Sequence, residues 1–187
     1  MPEIHQHSGK SSERLLDKGA ILKTLVILPG QVILDAGCGD GYMAKEFSKL
    51  TGNDGRVYAI DMYEPSIQSL QNGTVGSNLT AIKGDVTQPI DLEDSSVDLV
   101  YLSTVFHGFT DSQRHGFLKE VKRILRPDGI LAVVEINKGD TPFGPPMEMR
   151  VSPEDLSSIV GLKVQNLIKI SAYFYMQTFV NKDKGTL

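Results

Sequence analysis

The sequence predicts an α/β protein built on a mostly parallel sheet, on three observations. Short runs of branched apolar residues alternate with amphipathic stretches along most of the chain, as in proteins made of βαβ units. A glycine-rich turn, Gly37-Cys38-Gly39-Asp40-Gly41, stands between an apolar run and a helical stretch. The alternation breaks only near the carboxyl end, where two apolar runs follow each other closely.

The elements follow in order. Residues 1–12 are polar and carry His5, His7, Gly9, Ser11 and Ser12; they are expected to form a flexible arm that orders over a ligand. Residues 13–187 are expected to form a single domain. Over 13–28, Leu15, Leu16, Ala20, Ile21, Leu22, Leu25 and Val26 recur at helical spacing, and Pro29-Gly30 ends the helix. Residues 31–35 read as a buried strand and 42–50 as a helix. Residues 56–61 form a second strand, and Pro65 opens a helix at its favoured first-turn position. Third and fourth strands are expected at 79–83 and 97–102, the latter apolar enough to be buried on both faces. Phe117, Leu118, Val121, Ile124 and Leu125 make one stripe of a helix over 111–125. Arg126-Pro127-Asp128-Gly129 reads as a turn and 130–136 as a fifth strand. Residues 138–146, rich in Gly and Pro, read as a loop. Ser152-Pro153-Glu154-Asp155 starts a helix with a cap, a first-turn proline and acidic residues at the positive dipole end. Residues 164–170 and 173–180 close the chain as a hairpin.

Composition narrows the function. A chain of 187 residues buries roughly 70% of its unfolded surface and needs neither disulfide nor metal to fold. The net charge of −4 argues against a nucleic-acid partner, which selects for basic surfaces. The single cysteine, Cys38, leaves no disulfide framework and no Cys-rich metal site. No apolar run approaches the roughly 18 residues of a membrane span, and the polar start carries no leader pattern. A cytoplasmic protein with no membrane partner is expected.

The glycine turn carries the most information. Glycine lets the backbone turn sharply and lets a ligand approach the main chain, and the helix that follows presents free N–H groups. A dinucleotide site asks for G-x-G-x-x-G with pyrophosphate on that helix end. Here the pattern is G-x-G-x-G, and Tyr42 stands at the third-glycine position. Asp35, just before the turn, would repel a pyrophosphate but suits a ligand with an amino group. Asp61 ends the second strand, where a carboxylate accepts from ribose hydroxyls; its rival role is a helix cap before Pro65. Asp85, in Gly84-Asp85-Val86 after the third strand, suits an exocyclic adenine amine, or is a turn residue.

Together, the D-x-G-x-G-x-G turn, the acidic end of strand two, the Gly-Asp pair after strand three and the L-R-P-D-G-I-L segment before strand five resemble the class I S-adenosylmethionine-dependent methyltransferases. The resemblance covers about residues 13–180 and is greatest to the branch of small quinone-biosynthesis-like enzymes. It implies a Rossmann-like three-layer sandwich. Its seven-stranded sheet would be mostly parallel, in the order 3-2-1-4-5-7-6, with strand seven antiparallel. It implies that Asp35, Ala36, Gly37, Cys38, Gly39 and Gly41 hold the methionine end of the cofactor. Asp61 would hold the ribose, with Met62 against adenine. Asp85 would take the adenine amine, with Val86 over the ring, and Ser103 would close the other side of the cofactor.

The acceptor is expected to be a small molecule, with the N-terminal arm and the apolar loop around Pro142, Phe143, Pro145, Pro146 and Met147 on its side. His107, just beyond strand four, is a candidate base or a loop histidine that orients backbone; many methyl transfers need no base. No metal is expected, because His5 and His7 lack further ligands. The lone cysteine speaks against arsenic methylation. The rival readings are an NAD-dependent oxidoreductase and a cofactor-binding domain without catalysis. Oligomeric state is not legible.

Overall fold

The computed structural model describes residues 15–182. Seven strands form one sheet: β1 (Val32–Ala36), β2 (Arg56–Asp61), β3 (Leu79–Lys83), β4 (Val97–Ser103), β5 (Leu125–Ile136), β6 (Lys163–Lys169) and β7 (Phe174–Val180). Their order is β3-β2-β1-β4-β5-β7-β6. The pairs among β1 to β5 are parallel, and β7 runs antiparallel to both β5 and β6. This is the sheet the resemblance implied. The chain order reverses between β1 and β4, and the crevice outside the carboxyl ends of strands at such a point is where open α/β sheets bind ligands. Register sets the level of that edge: Ala36 stands opposite Ile60 and Leu102, and Ser103 opposite Val134.

The helices are α1 (Lys18–Leu25), α2 (Tyr42–Thr51), α3 (Glu64–Gly73), α4 (Asp111–Ile124) and α5 (Pro153–Val160). They cover the sheet as two outer layers. Ile21, Phe47, Ile67 and Leu70 meet Ile33, Val57 and Tyr101 on one face. Phe117, Val121, Ile124 and Leu156 meet Leu34, Val100, Leu131 and Phe179 on the other. The alternation of Ile33 and Leu34 between the two clusters is the period-two pattern of a strand buried on both sides.

Two expectations are corrected. The first helix begins at Lys18 rather than Glu13. Asp17 caps it by accepting the Ala20 N–H at 3.0 Å, and Val26 ends it in the left-handed region at φ 49°. The turn expected at 126–129 lies inside β5, which starts at Leu125 directly after α4. Asp128, at φ 60°, marks the irregularity. Its N–H donates to Asn181 O at 2.8 Å, and Gly129 O accepts the Asn181 N–H at 2.9 Å. The turn residues therefore satisfy their backbone against the end of β7 and remain in the sheet. Two arginines where α4 meets β5 are committed to ion pairs: Arg123 pairs with Glu120 and Asp94, and Arg126 with Asp98.

Candidate functional site

The glycine turn joins β1 to α2 at the carboxyl edge of the sheet. Gly37 and Gly41 have φ of 69° and 75°, a region that L side chains avoid. Space excludes a side chain as well: a Cβ on Gly37 would lie 2.7 Å from Val105 Cγ2, and one on Gly41 2.5 Å from Leu70 Cδ2. The turn is anchored to β2. The Gly37 and Cys38 N–H groups donate to Ile60 O at 2.8 and 3.1 Å, and the Gly39 N–H donates to Asp61 Oδ2 at 2.9 Å. Asp61 Oδ1 accepts the Tyr63 N–H at 2.8 Å. Tyr63 itself is the cap position of α3, which has no side-chain cap bond, so Asp61 braces the glycine turn rather than capping the helix. Each of its oxygens keeps a second lone pair for a further donor.

Asp35 lies within this cradle and is 3% exposed. Its Oδ2 has no hydrogen-bond partner among the described residues. Burial pushes its carboxyl up to about 7; the charges of Asp61 and Asp40 add to that, and the Ala44 N–H opposes it. A buried carboxylate oxygen with no donor is costly unless a cation or N–H group meets it. Two more buried polar atoms share this edge, Tyr101 Oη and Ser103 Oγ, which interact with each other and meet no other hydrogen-bond partner among the described residues. Tyr101 stands opposite Asp35 in the β1–β4 register. Ser103 was a candidate from sequence; Tyr101 was missed. The signal was present: a tyrosine within the apolar run 97–102 needs a partner for its hydroxyl.

The remaining candidates divide. Asp85 Oδ1 accepts from both the N–H and the Oγ of Thr87, at 2.9 and 2.7 Å, so its turn role is real. Gly84 ties this turn to β2 by donating to Asp61 O at 3.0 Å. Val86 is buried in the second core cluster. Met62 is 67% exposed at the end of β2. Cys38 is buried, and burial together with the charges of Asp35 and Asp61 drives its thiol pKa upward, which argues against a reactive thiolate.

The β4–α4 connection packs against this cradle through Val105. Thr104 has φ 57°, unusual for a β-branched residue, and its N–H donates to Val134 O at 2.8 Å. His107 follows in a 3-10 turn, Phe106–Gly108. Its Nδ1 lies 2.7 Å from Glu135 Oε2, and its backbone N–H donates to Glu135 Oε1 at 3.2 Å. Glu135, within an apolar strand pattern, was not singled out from sequence. The loop 138–146 is held rather than loose. The Arg150 guanidinium donates to the carbonyls of Pro145, Gly139, Phe143 and Asn137 at 2.6–3.3 Å. The Phe143 ring meets those of Tyr173 and Phe174.

Two cavities lie away from the glycine turn. One is between α4 and α5, beside Arg114, His115 and Lys122; the other is near Gly55, Arg56 and Arg126, at the opposite edge of the sheet. Neither lies in the crevice at the carboxyl ends of the strands, and the arm 1–12 lies outside the described residues. No group of three or more His, Cys, Asp and Glu among the described residues could hold a metal ion. Among them, no helix is long and apolar enough to cross a membrane.

This fold is that of the class I S-adenosylmethionine-dependent methyltransferase domains. A family model described as a methyltransferase domain matches residues 34–133, and the chain belongs to that family. It is 30% identical over 118 residues to a ubiquinone/menaquinone biosynthesis C-methyltransferase of Hahella chejuensis, covering 61% of this chain and 46% of that protein. It is 33% identical over 118 residues to a sterol 24-C-methyltransferase of Yarrowia lipolytica, covering 58% and 28%. The chain thus spans about half or less of the curated relatives it matches. The crystal structure of an S-adenosylmethionine-dependent methyltransferase from Aquifex aeolicus aligns with a TM-score of 0.80 at 28% identity, covering 91% of this chain and 92% of that one.

Proposed function

We propose that this protein transfers a methyl group from S-adenosylmethionine to a small-molecule acceptor, as a single domain over residues 13–187 in the cytoplasm. The observation that carries the reading is Asp35 Oδ2, a buried oxygen without a donor among the described residues, beside a glycine turn in which Gly37 and Gly41 leave no room for a side chain. The cofactor fits that donor set. Its amino group would meet Asp35, its methionine part would lie along 36–41, and its ribose hydroxyls would reach the second lone pairs of Asp61. Met62 would cover the adenine face that Asp85 and Val86 approach from the other side, and Ser103 would close the methionine end. When bound, the cofactor supplies a methyl group on a positively charged sulfur that leaves readily.

The chain's own contribution is orientation. The turn, braced by Asp61, holds its shape before ligand arrives, so little ordering is needed on binding. In-line placement of acceptor and methyl can supply much of the acceleration without acid or base. The small acceptor is supported by the relatives' printed names, quinone and sterol methyltransferases, and the ordered loop 138–146 is the surface on which it would rest.

Calorimetric titration with S-adenosylmethionine and with NAD tests the cofactor. Binding of the first and not the second is expected, and the reverse overturns the proposal. Asp61→Ala should weaken S-adenosylmethionine about 10- to 100-fold, because two charge-assisted bonds of about 1.5–3 kcal/mol are lost and partly replaced by water. Formation of S-adenosylhomocysteine with an acceptor separates an enzyme from a domain that only binds.

A further inference from the structure

The basic residues of α4 divide by face. Arg123 is committed to Glu120, Asp94 and the carbonyls of Ile90 and Leu92. Arg114, His115, Lys119 and Lys122 recur at helical spacing and line a cavity of about 470 Å3 between α4 and α5. From Arg114 to Lys122 they span about 12 Å of helix. His115, Lys119 and Lys122 form no ion pair among the described residues, in a chain whose net charge is −4.

Nearby acids leave this wall positive. Asp111 lines the cavity, but its side chain is 99% exposed and 3.4 Å from Arg114. Glu120 turns away, accepting from the Ile90 N–H and from Arg123. Asp155, one turn before Ile159 on α5, is paired with Lys138. Arg114 is fixed by packing: its guanidinium lies over the Phe106 ring at 5.5 Å, and its Nε is buried with no acceptor among the described residues. Lys122 Nζ lies 3.9 Å from where a Cβ on Gly161 would stand, at the carboxyl end of α5. Between these cations, Leu118, Ile159 and the methylene stems of the lysines supply apolar surface.

We propose that this cavity binds a small phosphate ester that carries an apolar chain or ring. Cations gathered in a cleft raise the local concentration of anions. A phosphate monoester brings a charge of about −1.5 to −2 and three acceptor oxygens at pH 7, enough to meet Arg114 and a lysine together. The cavity lies within the roughly 300–1,000 Å3 of small-molecule pockets, and Leu118 and Ile159 offer the ester's apolar part a place beside the charges. Residues 1–14 contain two acids and two bases, and 183–187 one of each, so neither segment supplies the anion. The site is separate from the glycine turn and does not depend on the methyltransferase reading.

Calorimetric titration of the full chain in a phosphate-free buffer tests this, with n-octyl phosphate, inorganic phosphate and octyl glucoside as probes. Octyl phosphate should bind, inorganic phosphate at least about 10-fold more weakly, and octyl glucoside not at all. Lys119→Gln with Lys122→Gln should weaken octyl phosphate at least about 10-fold, with the melting temperature unchanged, since glutamine keeps the helix propensity of lysine. Ile159→Ser should narrow the gap between octyl phosphate and inorganic phosphate. Saturating S-adenosylmethionine should not displace octyl phosphate. No binding of octyl phosphate, equal binding in the double variant, or equal binding of octyl glucoside overturns the proposal. Displacement by S-adenosylmethionine also overturns it, because the ester would then lie at the glycine turn. Vesicles of phosphatidylglycerol separate the source of the phosphate. Co-sedimentation with them, in a chain that does not bind octyl phosphate, would assign the basic wall to a lipid surface and overturn the small-ligand site.

Discussion

The two ends of the sheet are organised by different forces. Around β1, β2 and β3 the site is made of backbone: glycines in left-handed conformations, N–H groups donating to Ile60 O, and Asp61 bracing the turn. Around β4, β5 and β7 it is made of buried side chains that reach across the sequence. Glu135 meets His107 28 residues away, and Arg150 gathers carbonyls from four loop residues. The first arrangement suits a ligand that is the same in every member of a family. The second can change residue by residue, which suits an acceptor that differs.

Asp35 should give the largest effect on the cofactor side. Its folded value of about 7 lies well above the roughly 3.9 of an unfolded aspartate. Between those values Asp35 holds its proton in the folded chain and loses it in the unfolded one, so its own contribution to stability falls as pH rises from about 4 to 7, by up to about 4 kcal/mol. Melting curves across that range should show the decline, and Asp35→Asn should flatten it. S-adenosylmethionine should bind the parent more tightly as pH passes 7, because the ionised carboxylate meets its amino group. A parent and Asp35→Asn with the same pH dependence through this window would remove Asp35 from the cradle.

Gly37→Ala sharpens the same side. Left-handed strain of about 1–2 kcal/mol and a clash with Val105 costing about 1–3 kcal/mol should together lower stability by about 2–5 kcal/mol in urea unfolding. Cofactor binding should be lost in the folded fraction. On the other side, Arg150→Ala should cost about 2–3 kcal/mol, because buried carbonyls lose a charged donor and water restores part of the loss. Limited proteolysis should then cut within 138–146, while S-adenosylmethionine affinity stays within about twofold. A large loss of affinity in Arg150→Ala would break the division between the two ends.

Tyr101→Phe is the finest probe, since Tyr101 Oη lies at the boundary between them with only Ser103 beside it among the described residues. Stability should change by about 1 kcal/mol or less, because at most one side-chain hydrogen bond is removed. If the hydroxyl donates to the cofactor, calorimetry should show a drop of about 2- to 10-fold. An unchanged value assigns Tyr101 to the acceptor side.

Local rules were sufficient for the strands and the glycine turn. Period-two and helical patterns, Pro65, Ser152 and the glycine spacing each act over a few residues, and their consequences could be read from the sequence as expected elements at 31–41, 56–61 and 111–125 and a helix start at 152–155. Other features depended on partners far along the chain. Asp85 and Asp61 each had two readings, and nothing local announces the contacts they make with Thr87, Gly39 and Tyr63. Residues 126–129 looked like a free turn because nothing local announces that Asn181 will satisfy their backbone. Glu135 and Tyr101 sat unremarked in apolar strands, and Arg150 in a loop. Their roles arise only when folding takes a charge or hydroxyl out of water and leaves it to a single neighbour. A buried polar group is decided by which distant donor arrives, and that is a property of the packed chain.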